Sequence, residues 1–243
     1  MSAAQGAVKL QTGEQVSYTV HRRDIQNPRL TLNPDGTLAV ILPDGTPSQS
    51  LLAQNTGWIE SQYEEQLKHI TEIKNQYGNL MEGITLWGNT YNLIETDGEY
   101  KIQIDGEALI LQSPSGRAPK PYLYNQTRKA LRHALRPLAQ HFCEMYETKF
   151  STLSIRNQQT KWASCSGGRN LNFNVRCAFL PVPHIRYLVV HEVAHLLHPK
   201  HTDSFWELVA STVPKYRKLR SELQGFWYTV HRNNVWKTLL GQS

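Results

Sequence analysis

The sequence predicts an α+β fold: a β-rich N-terminal region followed by a largely helical C-terminal one. Three observations carry that reading. Residues 1–115 contain segments that alternate apolar and polar positions, punctuated by Asp35-Gly36, Asp44-Gly45, Asp97-Gly98 and Asp105-Gly106. Asp-Gly is a hairpin-turn dipeptide, because its residues tolerate the positive φ angles that such turns require. The rest of the chain instead repeats apolar residues three and four apart. Charge changes at the same place, with 7 Lys/Arg against 14 Asp/Glu before residue 116 and 19 against 6 after it.

The strand signals are "QVSYTVHRR", "RLTLNPDGTLAVILPDG" and "TYNLIETDGEYKIQIDGEALIL". One helix, roughly 57–77, interrupts them. "SPSGRAPKP", residues 113–121, is dense in Pro, Gly and Ser and reads as a linker between two domains, 1–115 and 116–243. A helix is expected over roughly 122–147. "TLSI" and "KWASC" follow as short strands, and "RNLNFNV" places Asn170, Asn172 and Asn174 on one face and Leu171, Phe173 and Val175 on the other. From Pro183 onward the chain reads as helical, with breaks at Pro199, Pro214 and Gly225. No tandem repeat is evident.

Composition excludes several classes. No run of about 18 apolar residues is present, so no membrane partner is expected. The first residues lack the basic start and apolar stretch of a secretory signal. Three cysteines, odd in number and far apart, favour free thiols in a reducing, cytoplasmic compartment.

The chemistry concentrates in "HEVAHLLHPKH". His191 and His195 lie four apart, which on a helix puts both imidazoles on one face, about 6 Å apart along the axis. They can converge on one ion without distorting the backbone. Glu192, next to the first, is placed to reach a water rather than the ion. A catalytic zinc takes three protein ligands and keeps a fourth position open. Pro199 cannot continue a helix, so the chain can turn and bring His201 back, ten residues after His191. Asp203 and Glu207 are the alternatives for that third ligand. The spacing matches HExxHxxGxxH enzymes, but His198 stands where those have Gly, and every methionine lies upstream, so no Met-turn follows.

Taken with its neighbours, this segment resembles the YgjP-like metallopeptidase-domain family, the predicted metal-dependent hydrolases. The residues that carry the resemblance are Arg156, Trp162 to Ser166, Asn172 with Asn174, Pro183, Tyr187 to His195, His201, Phe205-Trp206, and Pro214 with Tyr216. Ala163 and Val193 depart from the commoner Gly and Leu. Weaker similarity runs back through "HRRDIQNPRLTL" and "GITLWGNTYNL". The resemblance implies a minimal zincin fold, a small sheet plus an active-site helix. It also implies Zn2+ at His191, His195 and His201, Glu192 as catalytic base, and kinship with SprT-like and WLM proteases, some of which act on DNA-bound proteins.

The expected activity is zinc-dependent hydrolysis of peptide bonds in a protein or peptide substrate by metal-activated water. A hydrolase of nucleotides or phosphoanhydrides using the same site is the alternative. A non-catalytic, structural metal site is a third reading, disfavoured by an intact Glu192 beside only three evident ligands. Tyr216 is the catalytic candidate for stabilising the oxyanion, with Tyr187 and Arg156 also open. Trp162, Ser164, Asn172 and Asn174 are candidate substrate-binding residues around a sheet edge, although Trp162 on such a strand is commonly core. Cys165 reads as a structural thiol, and Phe205 and Trp206 as packing beneath the site. Arg128, Arg132 and Arg136 recur every four residues and form one helical stripe. That stripe is a candidate nucleic-acid contact, or a solvated face, or a surface docked on the acidic half.

Overall fold

The computed structural model describes residues 4–241. The chain forms two compact units. One comprises the chain to Gln76 together with Gly225–Arg232, the other Tyr77–Gln224 together with the chain from Asn233 onward. The architecture is mixed α and β.

In the first unit, β1 (Ala4–Lys9), β2 (Gln15–Arg22), β3 (Arg29–Leu32) and β4 (Leu38–Leu42) form one sheet in the order β1-β2-β4-β3. Alternating residues of β4 are buried: Leu38, Val40 and Leu42 meet Val16, Val20 and Leu10. Leu52 of α1 (Ser48–Gln54) and Ile59 of α2 (Thr56–Tyr77) close that core. This is period-2 patterning from the sheet sealed by a helix face.

The second unit opens with β5 (Ile84–Leu86), β6 (Asn89–Asp97), β7 (Lys101–Asp105) and β8 (Ala108–Ser113), in the order β5-β6-β8-β7. In both four-stranded sheets the second and fourth strands pair in parallel, and hairpins flank them. The two sheets thus repeat one topology that no sequence repeat reveals. It also sorts the Asp-Gly turns. Asp35-Gly36 and Asp105-Gly106 close hairpins between β3 and β4 and between β7 and β8. Asp44-Gly45 leads from β4 into α1, and Asp97-Gly98 leads from β6 to β7, which pairs with β8 and not with β6. The dipeptide fixes a local reversal but does not choose the partner strand.

Then follow α3 (Lys120–Met145), β9 (Thr152–Arg156), β10 (Ala163–Cys165) and β11 (Asn170–Asn174). A 3-10 turn (Val175–Phe179) precedes α4 (Val182–Ala194), α5 (Asp203–Thr212), α6 (Tyr216–Arg232) and α7 (Asn234–Leu239). The second small sheet has the order β10-β11-β9, so β10 lies at its edge.

Two sequence expectations change here. The division falls after Gln76, not at residue 115. The β5–β8 sheet belongs with the C-terminal half because it is bonded into it: Trp87 N–H donates to Ala178 O at 2.6 Å, and Trp236 Nε1 to Thr85 O at 3.0 Å. Asn233 Nδ2 donates to Leu80 O and Gly83 O. Residues 113–121 are accordingly a tight turn within one unit, closed by Arg117 N–H to Pro114 O at 2.9 Å. Gly225 does not break α6. A Cβ there would stand 2.6 Å from Ile73 and 2.7 Å from the His69 carbonyl, so glycine admits close approach of the α2 backbone.

Candidate metal centre

α4 starts on prolines, whose missing N–H groups cost nothing at a helix N-terminus. Ile185, Leu188, Val189, Val190, Val193 and Ala194 bury it on most sides, so its polar residues are held rigidly. His191 and His195 share a face, with ring centroids 4.8 Å apart. One further turn follows α4, bonded from His195 N–H to His191 O and from His198 N–H to Ala194 O. Pro199 then ends it, and a reversal closed by Thr202 N–H to Lys200 O delivers His201 just before α5. The nitrogen atoms of His191, His195 and His201 lie within 4.8 Å of one another.

His201 Nε2 stands 3.1 Å from His191 Nε2. Two nitrogens each bound at about 2.0–2.1 Å to one tetrahedral ion would be about 3.3 Å apart. His195 Nδ1 lies 3.0 Å from the His198 carbonyl, and as its donor leaves Nε2 free to ligate. His191 Nδ1 is 3.4 Å from the Tyr187 hydroxyl. Burial, then the neighbouring His195, His201 and Arg220, pulls the His191 imidazole down to about 3, and burial lowers His201 too. Neutral imidazole is the ligating form. Phe205, fully buried, forms the floor, its ring 4.6–5.0 Å from all three imidazoles. The donor set fits a divalent transition-metal ion.

Glu192 is 4% exposed. Burial raises its carboxyl to about 8, opposed by a hydrogen bond from the Cys165 backbone N–H and by the Lys161 charge. Its Oε2 accepts no hydrogen bond from the described residues. The carboxylate is therefore tethered to the edge strand through one oxygen and unpaired at the other. A cleft of about 410 Å3 lies beside His195, lined by Cys165, Ser166, Arg169 and Leu196 among others. The Cys165 thiol, raised to about 11 by burial and by Glu192, stays protonated.

The other sequence-predicted residues divide. Tyr216 is buried and stacks on Trp206 at 5.2 Å, and Trp206 in turn stacks on His201. Ser164 sits half-buried on β10, paired with Asn172 of the central strand β11. Asn172 Oδ1 accepts from Arg156 Nε at 2.9 Å. Trp162 and Asn174 are not placed to bind substrate. Trp162 is buried in the core and donates its Nε1–H to Leu223 O. Asn174 is fully buried and spans the 158–161 loop, donating to Gln158 O and Lys161 O and accepting from Arg176 N–H. Both shape the strand that substrate would meet, and neither faces it.

Arg128 also differs from its stripe. Its guanidinium donates to Ile155 O and lies over the Tyr124 ring, although Arg128 is exposed like Arg132 and Arg136. Asp203 and Glu207, the alternatives for the third ligand, are exposed on α5 and lie outside the three-imidazole cluster. Tyr187 and the His198 carbonyl meet the imidazoles instead. Sequence reasoning missed Arg169 as a site residue. Its guanidinium ties Lys149 O, the Thr148 hydroxyl and Leu196 O, bracing the turn that carries His195. No local signal marks that role. Arg220 was also missed; the ring it lies over, Trp206, is on α5, so no local signal marks it.

A family model described as YgjP-like, metallopeptidase domain, matches residues 26–226. Among solved structures, the crystal structure of the metallopeptidase zymogen of Pyrococcus abyssi abylysin matches with 20% identity. That match covers 37% of this chain and 90% of the other, at a TM-score of 0.35. No curated protein matches the chain.

Proposed function

Because the chain belongs to the YgjP-like metallopeptidase-domain family, and so is a metal-dependent hydrolase, we propose that it is a zinc peptidase. In this reading His191, His195 and His201 hold the ion and Glu192 is the general base. One observation carries it: three converging imidazoles beside a buried carboxylate with one oxygen unpaired.

When bound, a zinc ion supplies Lewis-acid polarisation of the scissile carbonyl and activation of water. Glu192 Oε2 removes the proton of the attacking water and returns it to the leaving amine. The Cys165 N–H fixes the other carboxylate oxygen, so the base needs no reorientation during the reaction. Along β10, Trp162 O accepts from Asn174 N–H and Ser166 N–H donates to Asn170 O. By alternation, Ala163 directs its N–H and C=O off the open edge, and Cys165 its C=O, the Cys165 N–H being taken by Glu192. An extended peptide adds there as a strand, with Ser164 and Asn172 on the adjoining polar face. Tyr216 is the candidate donor to the developing oxyanion.

Arg132 and Arg136 are proposed to contact nucleic acid, which would bring the peptidase to nucleic-acid-associated proteins. A shift of DNA mobility that weakens with salt and with Arg132→Glu/Arg136→Glu supports this, and no binding at low salt removes it. The cysteines Cys143, Cys165 and Cys177 are free, in keeping with a cytoplasmic location. Among the described residues, no helix is long and apolar enough to cross a membrane.

The deciding experiment compares wild type with Glu192→Gln by metal analysis and by proteome-wide cleavage profiling. Wild type should carry one zinc per chain and cut peptide bonds. The variant should keep its zinc and lose about 10²–10⁴-fold of the rate. A zinc-loaded wild type that cuts no peptide, or that instead releases phosphate from nucleoside triphosphates, rejects the peptidase reading.

A further inference from the structure

Arg217 and Arg220 line an open cleft of about 430 Å3 with Trp206, Tyr216, Ser221 and Gln224. Through Trp206 the cleft adjoins His201 and His191. Trp206 stacks on His201, centroids 5.3 Å apart and planes 16° apart, and its ring is 5.9 Å from His191. The Arg220 guanidinium lies 4.7 Å over Trp206, and that of Arg217 lies 5.5 Å from the Tyr216 ring.

Stacked in this way, a guanidinium keeps its in-plane N–H donors available for a planar anion. No carboxylate lines the cleft. Glu222, the acid nearest in sequence, is turned elsewhere and engaged by His184, Tyr77 and Lys218. Neither arginine has an ion pair or hydrogen bond among the described residues. The Arg220 charge reaches the ligands, since it contributes to lowering both His191 and His201. Two positive charges are thus held on aromatic faces, beside the reacting centre, with no anion of the protein to answer them.

We propose that this cleft is a specificity subsite that receives a carboxylate of the peptide substrate, selected by Arg220 and Arg217. The proposal rests on the peptidase reading and names its substrate class: peptides with an acidic side chain, or a free C-terminus, at one fixed distance from the cut bond. A carboxylate matches the flat donor fork of a guanidinium through two parallel N–H···O bonds. The exposure of both arginines keeps the gain modest, on the order of tenfold.

The test uses the full chain loaded with zinc and matched peptides carrying Glu or Gln at each position flanking the cleaved bond, each with a free or amidated C-terminus. At one position Glu should raise kcat/KM over Gln by about tenfold. Arg220→Ala and Arg217→Ala should bring that ratio towards one, and Arg220→Lys should keep an intermediate value. If the gain follows the free C-terminus instead, the α-carboxylate is the ligand. Equal cleavage of every pair by wild type, or a preference that survives both arginine substitutions, overturns the subsite while leaving the peptidase reading intact. If wild type cuts no peptide, the peptidase reading fails on its own terms. Fluorescence polarisation of the same labelled peptides on the Glu192→Gln protein then decides the subsite. Equal binding of Glu and Gln peptides overturns it, as does displacement by inorganic pyrophosphate but not by unlabelled acidic peptide.

Discussion

His201 Nε2 and His191 Nε2 face each other across 3.1 Å, although one precedes α5 and the other lies inside α4. Two neutral imidazoles at that distance share at most one N–H···N bond, whereas a cation between them would be ligated by both. Zinc should therefore stabilise the fold, by about 2.7 kcal/mol at a hundredfold excess over its Kd. For a chain of this length that is a rise in Tm of roughly 5–10 °C. His201→Ala should remove most of the rise at the same zinc concentration. Differential scanning fluorimetry of chelator-treated protein titrated with zinc checks this, and an undiminished shift would exclude His201 as a ligand.

Tyr187 supports the cluster from behind. Its hydroxyl meets His191 at Nδ1, the nitrogen that does not face His201, and burial pushes its phenol up to about 12, so it stays neutral. It positions the ring and does not reach the reacting atoms. Tyr187→Phe should weaken zinc binding by about 10–100-fold, the range for removing a partner of a ligand imidazole. With zinc saturating, kcat should be nearly restored. A kcat that stays low at full zinc occupancy would mean the hydroxyl acts in the reaction itself.

Asn174 separates structural from substrate roles. Asn174→Ala would remove the amide that bonds Gln158 O, Lys161 O and Arg176 N–H. The expected cost is about 2–4 kcal/mol of stability, measured by urea denaturation, with KM for peptide little changed in the protein that remains folded. A stable variant with a raised KM would restore Asn174 as a substrate contact.

These residues show where the sequence was legible. The spacing of four between His191 and His195 is a property of one helix, and Pro199 forces a local reversal, so the cluster could be anticipated from adjacent residues alone. β11 was equally plain, because Leu171 and Phe173 alternate with asparagines. What stayed hidden depends on distant partners. Asn174 shares a face with Asn170 and Asn172, but a loop 13–16 residues upstream buries it. Asp97-Gly98 has the same composition as Asp105-Gly106, and only the insertion of β8 beside β6 denies it a hairpin. Arg220 read as one charge in a basic run until Trp206, fourteen residues earlier, supplied the ring beneath it.

Acid should destabilise the protein through a pair that joins the start of α4 to α6. His184 is 1% exposed, its Nε2 is 2.8 Å from Glu222 Oε2, and the Tyr77 hydroxyl donates to the same oxygen. Burial lowers the His184 pKa more than Glu222 raises it. Hydrogen bonds from Tyr77 and His184 lower Glu222, outweighing its own burial. The folded pair is thus a neutral imidazole donating to a carboxylate. Both groups bind protons less readily folded than unfolded, so the unfolded chain takes up more protons as pH falls. The contribution is fully present above the unfolded histidine value of about 6.5 and declines below it, with the Glu222 part following below about 4.5. His184→Gln should flatten the loss of stability between pH 7 and 5. Comparing both proteins metal-free by urea denaturation cancels the titration of every group the two share. Parallel stability curves across that range would show that His184 takes up protons alike in the folded and unfolded chain.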